Sequence, residues 1–131
     1  MPISSLRITR RWRPKVCRWN SGAGSDMARF DVFPNSGVHA ATTPYLLDVQ
    51  SGLLQGLDTR VVVPLRLRTS LPGMQLPADL MPMFVLEGRE CVMETPKLAA
   101  VPVRLLRTPV TNLSDRQLEI GSALDFLFHG F

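Results

Sequence analysis

Proline sets the limits on what this chain can fold into. From Met27 onwards Pro34, Pro44, Pro64, Pro72, Pro77, Pro82, Pro96, Pro102 and Pro109 recur through the sequence, and the longest uninterrupted run is the last, after Pro109. A proline inside a helix removes a hydrogen bond and clashes with the preceding turn, so the interrupted part favours short β segments. Segments 29–33, 45–50 and 60–67 are rich in branched or aromatic residues and read as strands. Between the first two lies a loop bounded by Pro34 and Pro44. Pro64 lacks a ladder donor, which predicts that its strand lies at a sheet edge or is bulged there. Residues 69–82 carry three prolines and a Pro-Gly turn signal and read as a long excursion. Segments 83–86 and 89–93 form a hairpin turning at Glu87-Gly88, and 98–107 adds one or two β segments broken at Pro102.

The proline-free end reads as a helix. Ser114 and Gln117 have the spacing of a capping box, in which the hydroxyl and the amide satisfy unpaired backbone groups at the helix start. Ile120, Ala123, Leu124, Leu127 and Phe128 then recur on one helical face. Gly121 weakens this helix, so tertiary packing must hold it, and Gly130 supplies the stop. The expected architecture is mainly β, an antiparallel sheet with a C-terminal α-helix.

The chain has 131 residues, 45% of them hydrophobic, which suits one domain with a core of its own. No apolar run approaches the roughly 18 residues of a membrane span, so no membrane partner is expected. Cys17 and Cys91 form no C-x-x-C pair, which argues against a metal or redox centre and favours a reducing cytoplasm.

Charge is unevenly distributed. Residues 1–26 hold six basic residues against Asp26 alone, a net +5, whereas residues 27–131 hold nine basic and ten acidic ones. The basic segment contains Trp12 and Trp19 and ends in the linker-like SGAGS. Nothing in it can build a packed element, and it is expected to be a disordered leader or sequence upstream of a true start at Met27. A transit peptide, or an arm binding nucleic-acid phosphates, is the alternative.

Motifs for catalysis are lacking. No phosphate-binding loop, nucleophile elbow, zinc-protease or dinucleotide-binding pattern is present. His39, Arg60 and Arg104 could serve an endoribonuclease, although no spacing favours them. Glu87, Glu90 and Glu94 read as charged hairpin ends, and Cys91 as a small buried hydrophobe. What stands out is apolar excess at the chain end: Phe126, Phe128 and Phe131 crowd a helix terminus where one face cannot take all three. Leu53-Leu54, in the loop SGLLQGLD, is a second exposed apolar pair. Such groups read as a self-association surface or a partner-binding hot spot.

With those residues in view, the body from Met27 to Phe131 resembles the CcdB family of toxins from bacterial toxin–antitoxin modules. MARFDVF resembles the family's first strand, and LLDVQSGLL with RVVVPL its next two. LMPMFVLEGRECVMETPKLAAVPVRLL resembles its hairpin and following strand, and VTNLSDRQLEIGSALDFLFHGF its terminal helix. The resemblance implies a homodimer whose antiparallel sheet adopts an SH3-like barrel arrangement with a small side sheet. It also implies a function without catalysis, cofactor or metal: the toxin binds the A subunit of DNA gyrase and traps the cleaved-DNA complex. An antitoxin with a disordered C-terminal segment reverses this. On the same resemblance the gyrase-binding positions fall on Leu53, Leu54, Asp125, Phe128, His129, Gly130 and Phe131. Where the family's helix typically ends Trp-Gly-Ile, this chain ends His129-Gly130-Phe131, and Asp125 stands at a position commonly held by Asn. A degenerate toxin that binds antitoxin but spares gyrase is the alternative, and an endoribonuclease toxin a less favoured one.

Overall fold

The computed structural model describes residues 28–71, 73 and 76–130. The basic segment 1–26 and Phe131 lie outside them. Seven strands follow in chain order: β1 (Asp31–Pro34), β2 (Tyr45–Asp48), β3 (Thr59–Leu67), β4 (Met83–Leu86), β5 (Arg89–Met93), β6 (Ala99–Pro102) and β7 (Thr111–Asn112). The helix α1 (Gln117–His129) closes the described chain. All pairings are antiparallel, in the order β4-β5-β3-β2-β1-β7 with β6 also on β3. The result is a curled sheet with a C-terminal helix, as the sequence and the resemblance both lead one to expect.

The long strand β3 organises the sheet. One flank pairs with β2 throughout Val62–Leu65. The other flank is shared, since Thr59–Val62 pairs with β6 and Leu65–Leu67 with β5. Pro64 sits at this fork. Its carbonyl accepts from the Glu94 amide at 2.9 Å, which puts its missing donor on the same flank, where one partner strand ends and the other begins. The expectation of an edge strand or a bulge is therefore corrected: β3 is central, and the proline occupies the one place in it where a donor is not needed. The hairpin β4–β5 extends from this fork and is the part that corresponds to a side sheet.

The β4–β5 turn falls at Glu87-Gly88 as expected, with φ of 52° and 79°. Positive φ at both central residues matches the right-handed twist of the flanking strands. Glu87 is held there by accepting a hydrogen bond from the Tyr45 hydroxyl, which also accepts one from Arg89 Nη2 at 3.0 Å. Burial and the Glu87 contact push the Tyr45 pKa up.

Strand alternation divides the apolar residues between two faces. Val32, Tyr45, Leu47, Val63 and Leu65 join Phe84, Cys91, Met93, Ile120 and Ala123 in the main core under α1. Phe33, Val62 and Leu106 form a smaller cluster, flanked by Leu46 and Val101.

Three boundaries depart from expectation. β1 begins at Asp31 because Phe30 is in the left-handed region (φ 74°), its buried ring under the Arg29 guanidinium. The region 98–107 yields one strand, β6, ending at Pro102 as expected and followed by a 3-10 turn, Val103–Leu105, whereas the short β7 carries no local signal in the sequence and was not expected. The Ser114–Gln117 capping box does not form. Residues Ser114–Arg116 make a 3-10 turn, and neither it nor α1 has a side-chain cap. The Ser114 amide donates instead to Asn112 Oδ1 (2.8 Å), whose Nδ2 donates to Asp31 Oδ1 (2.8 Å) and the Arg29 carbonyl (3.1 Å). The helix start is thereby tied to β1, which a local signature does not encode.

A Cβ added at Gly121 meets no atom within 4 Å. Gly121→Ala is thus expected to raise the unfolding free energy by about 1 kcal/mol in urea denaturation, through helix propensity alone.

Candidate functional site

The helix α1 reaches the core through Ile120 and Ala123, and its last turns are more open. Ile120 and Ala123 are fully buried and Leu124 and Leu127 half-buried, whereas Asp125, Phe126, His129 and, at 66% exposure, Phe128 are exposed. This corrects the sequence reading that placed Phe128 on the core-facing stripe. Leu127, at the same height, stays half-buried, so Phe128 lies past the margin of the covered stripe. Asp125, Phe128 and His129 are three and four residues apart, so they share one side of the helix end. Gly130 (φ 83°) terminates it by donating its amide to the Phe126 carbonyl at 2.9 Å. A side chain here would need the left-handed conformation, which glycine adopts freely.

Phe126 points elsewhere. With Leu118, Ala78 and Pro82 it walls a groove of about 640 Å³ between α1 and the segment before β4, and Asp79 and Glu119 add carboxylates to its rim. Phe126 and Phe128, crowded in sequence, are thus separated in space. Glu119 is forked by Arg116, which lowers its pKa, and the same guanidinium lies 4.8 Å from the centre of the Phe84 ring.

Leu53 and Leu54 lie in the loop between β2 and β3, and Leu53 is 89% exposed. The Leu53 amide donates to Ser51 Oγ (3.1 Å) and the Leu54 amide to the Ser51 carbonyl (3.1 Å). Beneath the loop is a pair of charges. Arg60, 2% exposed, donates from Nε to Asp48 Oδ2 at 2.8 Å and from Nη2 to Oδ1 at 3.0 Å, and Asp48 is completely buried. Burial pushes the Asp48 carboxyl above its ordinary pKa, with the Arg60 guanidinium and the Gln50 amide pulling it back.

The remaining sequence candidates do not assemble. Arg60 is committed to Asp48 and shielded from solvent, which removes it from any phosphate-handling role. His39 and Arg104 are exposed on separate segments. Glu87 bonds to Tyr45, Glu90 is exposed, and Glu94 is buried beside Arg66 (3.8 Å) and Lys97 (3.5 Å). Burial raises the Cys91 pKa, keeping it a thiol as its apolar setting suggests. Among the described residues no three His, Cys, Asp or Glu side chains gather where a metal could sit. No helix among them is long and apolar enough to cross a membrane.

The family model for the CcdB protein matches residues 29–130. The chain belongs to the CcdB family. It is accordingly a toxin of a toxin–antitoxin system. Among curated protein sequences none matches the chain. In this CcdB-family toxin the positions singled out by resemblance fall into two groups, the Leu53-Leu54 loop and the end of α1 from Asp125 to Gly130. Sequence reasoning missed the support beneath the first of them. Its signal was an acid inside the apolar strand LLDV and a base opening RVVV, charges where alternation predicts buried groups.

Proposed function

We propose that this toxin acts on DNA gyrase by binding alone, docking on the enzyme's A subunit to trap the complex with cleaved DNA. The observation that carries the reading is the outer half of α1, where Phe128 projects from a capped helix end. Large exposed aromatic groups on a rigid support make efficient hot spots. Leu53 and Leu54 add an apolar loop contact, and Asp125, His129, Gly130 and Phe131 complete the contact set. The working unit is a homodimer in the cytoplasm, neutralised by an antitoxin whose disordered C-terminal segment folds onto it. The chemistry needs no cofactor, metal or catalytic residue. Expression without antitoxin is expected to arrest growth and to accumulate DNA breaks covalently linked to gyrase. Unimpeded growth at high expression overturns the reading.

A second reading is favoured by one residue. His129 stands where family members carry a tryptophan thought to stack on a gyrase arginine, and a tryptophan face attracts a cation better than any other side chain. A neutral imidazole offers less area and a protonated one repels, which would leave a toxin fold that binds antitoxin but spares gyrase. His129→Trp separates the two. Toxicity gained by a chain otherwise harmless establishes the degenerate form.

A further inference from the structure

The connection between β2 and β3 buries Val49 and half-buries Leu57 at its two ends, but at its tip Leu53 and Leu54 are turned outward, so apolar burial does little to fix the tip. The tip is held by polar anchors, and two of these converge on one carbonyl. Leu54 O accepts from Gln50 Nε2 at 3.1 Å and from Arg60 Nη1 at 3.4 Å. Arg60 Nη2 also donates to the Gln50 carbonyl at 3.1 Å, and Gln50 Oε1 accepts from the Val61 amide at 2.9 Å. The Gln50 amide in turn donates to Asp48 Oδ1 at 3.0 Å. One guanidinium therefore spans the end of β2, the start of β3 and the middle of the loop.

We propose that Arg60, oriented by Asp48 and assisted by Gln50, is a positioning residue that sets how Leu53 and Leu54 are presented to the toxin's target. The inference rests on the reading of those leucines as target contacts. A buried ion pair is a poor device for stability, because desolvating two charges offsets their attraction, whereas its directional hydrogen bonds specify one arrangement. Arginine suits the task because its planar fork reaches carboxylate and carbonyl oxygens together, which a lysine point charge does not. The loop's exposed side chains are thereby coupled to the sheet interior through backbone carbonyls.

The test compares the full chain with Arg60→Lys and with the double variant Asp48→Leu/Arg60→Met. Amide hydrogen exchange is followed in the loop and in β3, alongside thermal unfolding and binding to the purified A subunit of gyrase. In both variants the β3 amides and the unfolding midpoint are expected to stay near wild type. The Leu53 and Leu54 amides should exchange faster, and gyrase binding should weaken, each on the order of tenfold. Loop protection at the wild-type level in the folded variants overturns the proposal. Should the double variant fail to fold, Arg60→Lys decides by the same comparison. A wild-type chain that ignores gyrase defeats the reading of the target, and the exchange data still decide whether Arg60 orders the loop.

Discussion

Asp48→Ala is expected to lower the unfolding free energy by about 3–5 kcal/mol, because it strands the buried Arg60 guanidinium without a counter-charge. Arginine cannot shed its proton inside a protein, so the variant has no inexpensive escape. Arg60→Met is expected to be milder for the opposite reason: the stranded Asp48 can take up a proton. Burial already holds the Asp48 carboxyl above its ordinary pKa, and Arg60 is the largest influence pulling it down. Deleting that influence raises it further. A carboxyl whose folded pKa lies above its unfolded value contributes stability that is complete below the unfolded pKa, about 3.9, and disappears as pH rises through the folded pKa. Relative to wild type, Arg60→Met should therefore recover stability as the pH is lowered from neutrality, while Asp48→Ala should not. Urea unfolding of the three proteins at several pH values measures this. Equal losses that do not change with pH would show that the pair is not dry.

The same pair shows where sequence reading stops. Hairpin β4–β5 was legible to the residue because its signals are local: alternating apolar residues on either side of a glycine-containing pair. The presence of α1 and its stop at Gly130 were legible for the same reason. Asp48 and Arg60 were not, since their meeting depends on the register of β2 against β3 and on the loop folding back between them. Pro64 was misplaced because a lone missing donor looks the same at an edge and at a fork, and only the arrival of β5 and β6 on one flank tells them apart. Ser114 and Gln117 have the spacing of a capping box, yet the Ser114 amide goes to Asn112, whose side chain is held two residues away by Asp31 and Arg29 through the pairing of β7 with β1. Phe128 fits the helical period of Ile120 and Ala123, but periodicity does not record how wide the covered stripe is, and with Leu127 half-buried beside it Phe128 falls outside that stripe.

That last distinction carries the largest functional effect expected here. Phe128→Ala should abolish growth arrest and weaken binding to the gyrase A subunit by about 2 kcal/mol or more, roughly thirtyfold. Its stability should change by less than about 0.5 kcal/mol, because the ring is exposed and its removal leaves no cavity. Ile120→Ala, two turns earlier on the same helix and completely buried, should behave in the reverse way. There the lost side chain leaves a void in the main core and costs about 2–5 kcal/mol of stability. Any loss of toxicity in that variant should follow the fraction unfolded. Leu118→Ala removes a side chain that is 82% exposed at the start of α1, well away from Gly130, and is expected to change neither property. The three variants together separate a contact surface from a scaffold within one helix. If Phe128→Ala still arrests growth, the helix end is not the contact, and the exposed ring must instead belong to the surface that joins two copies of the toxin. A fall in the apparent mass of Phe128→Ala on dilution, with toxicity intact, would identify that alternative directly.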